Sequence, residues 1–162
     1  MNIGLIQTLI VRLWAICVGA VVAISGANAM DVEGLTTIKS SYGPKETMDR
    51  LEAEVKARGL TVFARIDHAA GAAQADLTLR PTEVLFFGNA KGGTPLMQAS
   101  QSIGIDLPLR VLVWEDESGQ IWLAYNEPSW LAKRHGLGPG SQPSVDALAA
   151  ALRVLAKKAT AP

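Results

Sequence analysis

EVLFFGNAKGGTPLMQASQSIGIDLPLRVLVWEDESGQIWLAYNEPSWLAKRH, residues 83–135, is the stretch that decides the fold. Three apolar runs, Val84 to Phe87, Arg110 to Trp114 and Ile121 to Tyr125, are rich in β-branched and aromatic residues and bounded by Gly, Pro, Asn or Asp. That composition and punctuation predict strands. Asp116, Glu117, Ser118 and Gly119 join the last two through a short polar loop, with a glycine free to take positive φ, so a hairpin is expected and part of the sheet is antiparallel. The first two runs are apolar at consecutive positions, not alternate ones, which predicts a sheet covered on both faces, one by helices and the other by a second protomer.

Between the first two strands, Gly88 to Gly93 lead into Thr94 and Pro95. Thr94 suits an N-cap and Pro95 the first helical position; Leu96, Met97, Ser100 and Ile103 then share one side until Gly104. Free amides at such a start, beside Lys91, would attract an anion. The segment is not a Walker A loop, because Lys91 precedes the glycine pair. A tight strand-to-helix turn that simply needs glycine accounts for the same residues.

The string RPTEVLFFGNAKGGTPLM, followed by GIDLPLRVLVWEDESGQIWLAYNEPSWLAKRHGL and preceded by TMDRLEAEVKARGLTVFARIDHAAGA, resembles the bacterial and archaeal family known as domain of unknown function 302. The likeness covers nearly all of the chain beyond residue 35. It implies an α+β fold of β-α-β-β-β-β-α type, similar to the TATA-binding protein and helix-grip domains: a curved, mainly antiparallel sheet packed against a long C-terminal helix, often dimeric. It implies no established activity and no agreed catalytic residues. Ala90 departs from the proline expected in many members, which bears on the local turn alone.

Residues 1–29 contain no acid, carry Arg12, and run apolar from Leu13 to Ile24 before Ala27-Asn28-Ala29. This predicts a secretory signal cleaved near Ala29, and a periplasmic or secreted product of 133 residues forming a single domain over 30–162. Contact with a membrane is expected only through that segment before cleavage. Cys17, the one cysteine, would leave with it, so disulfide, thiolate and cysteine-ligated metal chemistry are excluded from the remainder. There, 14 basic residues face 15 acidic ones, a near-neutral balance that does not point to nucleic acid.

Pro44 to Arg58 predicts an amphipathic helix with a Met48, Leu51 and Val55 stripe, Glu46–Arg50, Glu52–Lys56 and Glu54–Arg58 pairs, and Gly59 at its end. Leu35 to Ser41 and Leu60 to Asp67 predict strands, the second with Leu60, Val62, Ala64 and Ile66 on one face and Thr61, Phe63, Arg65 and Asp67 on the other. A short helix over Ala69 to Ala75 comes next, and another over Ser129 to His135. Ser144 is expected to cap a final helix whose broad apolar face closes the core. Its alanines favour close packing on the sheet over a large cavity.

Three classes of function are compatible with these residues. The leading one is a non-catalytic, homodimeric binding module for a small molecule, anion or metal, held near Asn89, Lys91 and Thr94 or near His68. The second is an enzyme using Asp67, His68, Glu115, Asn126 or His135 for acid/base work, provided three of them meet in one cleft. The third is an envelope interaction module presenting Phe63, Trp122 and Trp130. With two histidines on separate elements, a metal centre would have to combine His68, His135, Asp67 and Glu115, and no pair has ligand spacing. No cofactor is indicated.

Overall fold

The computed structural model describes residues 32–162, so the expected signal segment lies outside the described residues. Five strands form: β1 (Leu35–Lys39), β2 (Thr61–Asp67), β3 (Thr82–Gly88), β4 (Leu109–Glu115) and β5 (Ile121–Asn126). They line up in the order β1-β5-β4-β3-β2, with every pairing antiparallel. Helices α1 (Pro44–Ala57), α2 (His68–Gln74), α3 (Ala90–Ala99), α4 (Pro128–Arg134) and α5 (Gln142–Thr160) connect and cover them, with 3₁₀ turns at Gln101–Ile105 and Pro139–Ser141.

The β4–β5 hairpin forms as its sequence predicts. Gly119 takes φ +80, and the Asp116 carboxylate accepts from the Ser118 amide at 2.8 Å, the Gln120 amide at 3.0 Å and the Trp122 indole Nε1–H at 2.7 Å. The Ser118 hydroxyl, donating at 2.6 Å, is the largest of the influences that hold the Asp116 carboxyl down at about 2. One side chain thereby satisfies the donors of the tight turn, as short acidic residues do in such loops.

Alternation along the strands sends Leu85, Phe87, Val111, Val113, Leu123 and Tyr125 to one face, where they join Met48, Leu51 and Val55 of α1 and Leu152, Leu155, Ala156 and Ala159 of α5 in one buried core. The predicted α1 stripe is therefore the surface that docks. Of its predicted pairs, Glu52–Lys56 forms at 2.5 Å, while Glu54–Arg58 sits at 4.0 Å. Arg50 turns instead to the carbonyls of Lys158 and Ala161 and lies 4.1 Å from the Tyr42 ring centroid, which ties α1 to the C-terminus.

Two expectations are corrected. The final helix begins at Gln142, not after a Ser144 cap: Pro143 occupies its first turn, where a missing amide hydrogen costs nothing. In β2, Val62 pairs with Phe87 and Ala64 with Phe86, so Phe63 is an extra residue in a bulge. One inserted residue reverses the facing of every later position in the strand. Val62 packs on the core, but Ile66 comes to lie opposite Val84 on the other face and is 42% exposed. Arg65, opposite Leu85, reaches the helix-covered side, where its guanidinium meets Asp49 at 2.6 Å, Glu52 at 3.1 Å and Glu83 at 2.8 Å.

The sheet's second face carries Val84, Phe86, Arg110, Leu112, Trp114 and Trp122, with the two tryptophan rings stacked at 6.3 Å. Around Phe86 and Leu112, both only half-buried, the face dips into a hollow of about 380 Å³.

Candidate functional site

A second, larger hollow of about 470 Å³ opens where the end of β3, the helix α3, the segment Gly104–Leu109 and the middle of α5 come together. Leu60, Phe87, Met97, Leu107, Leu148 and Leu155 supply its apolar walls, and Phe63, 61% exposed, stands at its edge. Small residues account for the space. Ala90, Gly92, Gly93 and Gly104 line one side, Ala147 and Ala151 of α5 the other. The α5 alanines were expected to close the helix onto the sheet; at this end they border a cavity, because they face the small residues of α3 and the Gly104–Leu109 segment and the larger side chains around them do not fill the space between.

The glycine-rich stretch also takes a different form from the loop its composition predicts. Asn89, not Thr94, caps the helix: its side-chain Oδ1 accepts the Gly92 amide at 2.7 Å, and Gly92, Gly93, Thr94 and Pro95 lie within α3. A cap three residues ahead of its amide is the favoured geometry for Asn. A Cβ on Gly92 would come 3.3 Å from Asn89 Oδ1 and 3.6 Å from Leu148, and one on Gly93 would meet Leu107 at 3.6 Å. These glycines leave room for the cap and for the hollow.

The residues marked out by sequence are dispersed. Asp67 caps α2, accepting the Ala70 amide at 2.9 Å. His68, exposed at the start of that helix, and Asn126, at the end of β5, both line the hollow on the open sheet face. Asn89 borders the larger hollow, whereas Lys91 and Thr94 are exposed on α3 and do not line it. Glu115 ends β4, its amide bonded to the Pro81 carbonyl. Of the three aromatics considered for docking, Trp122 is buried, Trp130 is half-buried and Phe63 is exposed. Among the described residues, no three of His, Cys, Asp and Glu converge as a metal-holding group, and no helix is long and apolar enough to cross a membrane.

His135 has partners that sequence reasoning missed. Its ring, 7% exposed, lies with Nε2 at 2.7 Å from Asp106 Oδ2 and Nδ1 at 2.9 Å from the Ser102 hydroxyl. Asp106 is equally buried and also meets Arg134 and Arg110, each at 3.3 Å. A signal for Asp106 existed: it is the lone charge inside the apolar run Ile103-Gly104-Ile105-Asp106-Leu107-Pro108-Leu109, and a buried carboxylate needs partners.

Fold and hollows together define a small α+β domain in which a five-stranded antiparallel sheet is backed by two helices and keeps an apolar recess beside the closing one. The chain belongs to the family described as domain of unknown function DUF302, whose model matches residues 36–155. It is 50% identical over 115 residues to the fluoride-specific ion channel FluC 1 of Brucella suis biovar 1 (strain 1330), a match covering 71% of this chain and 45% of that protein. The fluoride-specific ion channel FluC 2 of Brucella melitensis biotype 1 is 50% identical over the same length, which is 43% of it. The chain thus spans less than half the length of these curated relatives. A crystal structure of an uncharacterized conserved DUF302 protein from Bacillus stearothermophilus superimposes with a TM-score of 0.70 at 19% identity, covering 79% of this chain and 99% of that one; it is similar in fold.

Proposed function

We propose that this DUF302 domain is a binding module for one small apolar molecule, works as a homodimer and acts outside the cytoplasm after loss of residues 1–29. The observation that carries the binding reading is the 470 Å³ recess, within the size of ordinary small-molecule sites and lined by leucine, methionine and phenylalanine, with Asn89 as a polar group at its border. The half-buried Phe86 and Leu112 beside the exposed Ile66 support the open sheet face as the surface between two copies, since contiguous apolar surface of this kind favours association. The acid-free apolar leader supports export.

Native mass spectrometry of protein purified from its own host is expected to give a dimer mass carrying a bound apolar compound. Ala151→Trp, which places an indole in the recess, is expected to weaken that compound's binding at least tenfold, a loss of about 1.4 kcal/mol, with the dimer retained. A ligand-free monomer, or an Ala151→Trp protein that binds undiminished, would refute the respective half of the proposal.

A second reading is favoured by the 50% identity to part of proteins named fluoride channels. In it the domain works beside a membrane channel for a small anion. Deleting the domain is then expected to raise the fluoride sensitivity of its host, and unchanged growth in fluoride would end that reading.

A further inference from the structure

We propose that Ser102 is an activated nucleophile, with His135 as its general base and Asp106 as the group that orients that base. The proposal is independent of the apolar recess. The three side chains come from two segments, the 3₁₀ turn with the residue just after it and the residue that follows α4, and they form one continuous chain of hydrogen bonds of 2.9 Å and 2.7 Å. Chemistry sets the direction of that chain. Asp106, paired with Arg110 and Arg134, is a carboxylate and can only accept, so the neutral imidazole puts its proton on Nε2 and turns the Nδ1 lone pair to the Ser102 hydroxyl. Burial of the imidazole and the carboxylate, 7% and 8% exposed, fixes the ring, while Ser102 itself is exposed to an incoming substrate. This is the division of labour of a nucleophile, a base and an orienting acid, recognised by roles and not by sequence position.

The substrate class is a carboxylic ester with a good leaving group. Ser102 Oγ bonds to the acyl carbon as its proton passes to His135 Nδ1 and the carbonyl π pair moves onto oxygen. Collapse breaks the ester C–O bond, and the leaving oxygen takes the proton from Nδ1. Water then attacks the acyl-serine by the same route, giving up one proton through Nδ1 to Ser102 Oγ and releasing the carboxylic acid. Arg110 and Arg134 face the same carboxylate and draw on its charge, so Asp106 steadies the imidazolium less than an unshared carboxylate would. Turnover is therefore expected to be slow and visible first on activated esters.

The test exposes the full chain to a fluorophosphonate probe and to p-nitrophenyl acetate, locating adducts by peptide mass spectrometry. Ser118, whose hydroxyl faces a carboxylate and no imidazole, is the internal control. The expected results are a Ser102 adduct at doses that leave Ser118 untouched, a labelling rate that rises with pH, and its loss in Ser102→Ala. His135→Gln is expected to label at least about 100-fold more slowly while melting within a few degrees of the parent. Equal labelling of Ser102 and Ser118, or a rate flat from pH 5 to 8, overturns the proposal with no variant needed. A folded His135→Gln protein that labels at the parental rate overturns it as well.

Discussion

Phe87→Ala is expected to destabilise the protein by about 3–5 kcal/mol, the range for deleting a buried aromatic side chain. Phe87 is fully buried, sits in the core shared by α1, α5 and the sheet, and also forms a wall of the 470 Å³ recess. Its removal joins the space it leaves to that recess, so neighbouring side chains cannot close over the gap from both sides. Thermal unfolding should show a midpoint lowered by roughly 10 °C or more. Phe87→Leu, which still fills part of the volume, should lose less. A variant that unfolds with the parent would mean that the recess collapses readily, and the binding proposal would weaken with it.

Arg65→Ala is the second large effect. Its guanidinium, 25% exposed on the side chain, is the common partner of Asp49, Glu52 and Glu83, and hydrogen bonding to Glu83 is the main cause that raises its own pKa. Removing one partner of a buried pair costs about 3–5 kcal/mol; solvent screening at this half-open site brings the expectation to about 2 kcal/mol at neutral pH. The pH dependence has a definite sign. Asp49 is held below its ordinary 3.8 first by Lys45 and then by Arg65, and Glu52 below its ordinary 4.5 first by Lys56 and then by Arg65. Depressed carboxyls contribute stability that is complete above those ordinary values and fades as the pH falls through the folded ones. The parent should therefore lose stability from about pH 4.5 downward more steeply than Arg65→Ala, and the gap between them should narrow in acid. Urea unfolding across pH 3 to 7 checks this, and a gap constant with pH would show that Arg65 acts by packing alone.

Much of the architecture was legible because it rests on local patterns. The three apolar runs of residues 83–135 could be little other than strands, the polar four-residue link could only turn them back, and Met48, Leu51 and Val55 fall on one stripe of any helix built there. The illegible part depends on single insertions or on distant meetings. Nothing in TVFARID announces that Phe63 is surplus to the pairing, yet that one residue sends Ile66 to the opposite face and brings Arg65 under α1. The glycine-rich segment was visible as a place of small residues, but whether small residues make a loop or a helix wall turns on which upstream side chain caps it, and Asn89 does so ahead of Thr94. The hydrogen-bonded trio is harder still: His135 stands 29 residues from Asp106 and 33 from Ser102, and only the folded chain closes those distances. His135 was singled out in the sequence, but neither of the two side chains that it bonds was.

The placement of the first strand has a consequence for how the molecule comes into being. β1 bonds to β5 alone, and the Thr36 hydroxyl donates to the Glu127 carboxylate 91 residues further on, so the first strand waits for the last one before it has a neighbour. A growing or truncated chain that stops short of Ile121 leaves the β4 backbone bare along one side, with Val111, Leu112, Val113 and Trp114 beside it. Such an edge is open to any passing extended peptide, and every interrupted copy is therefore a seed for clumping until β5 arrives to shut it.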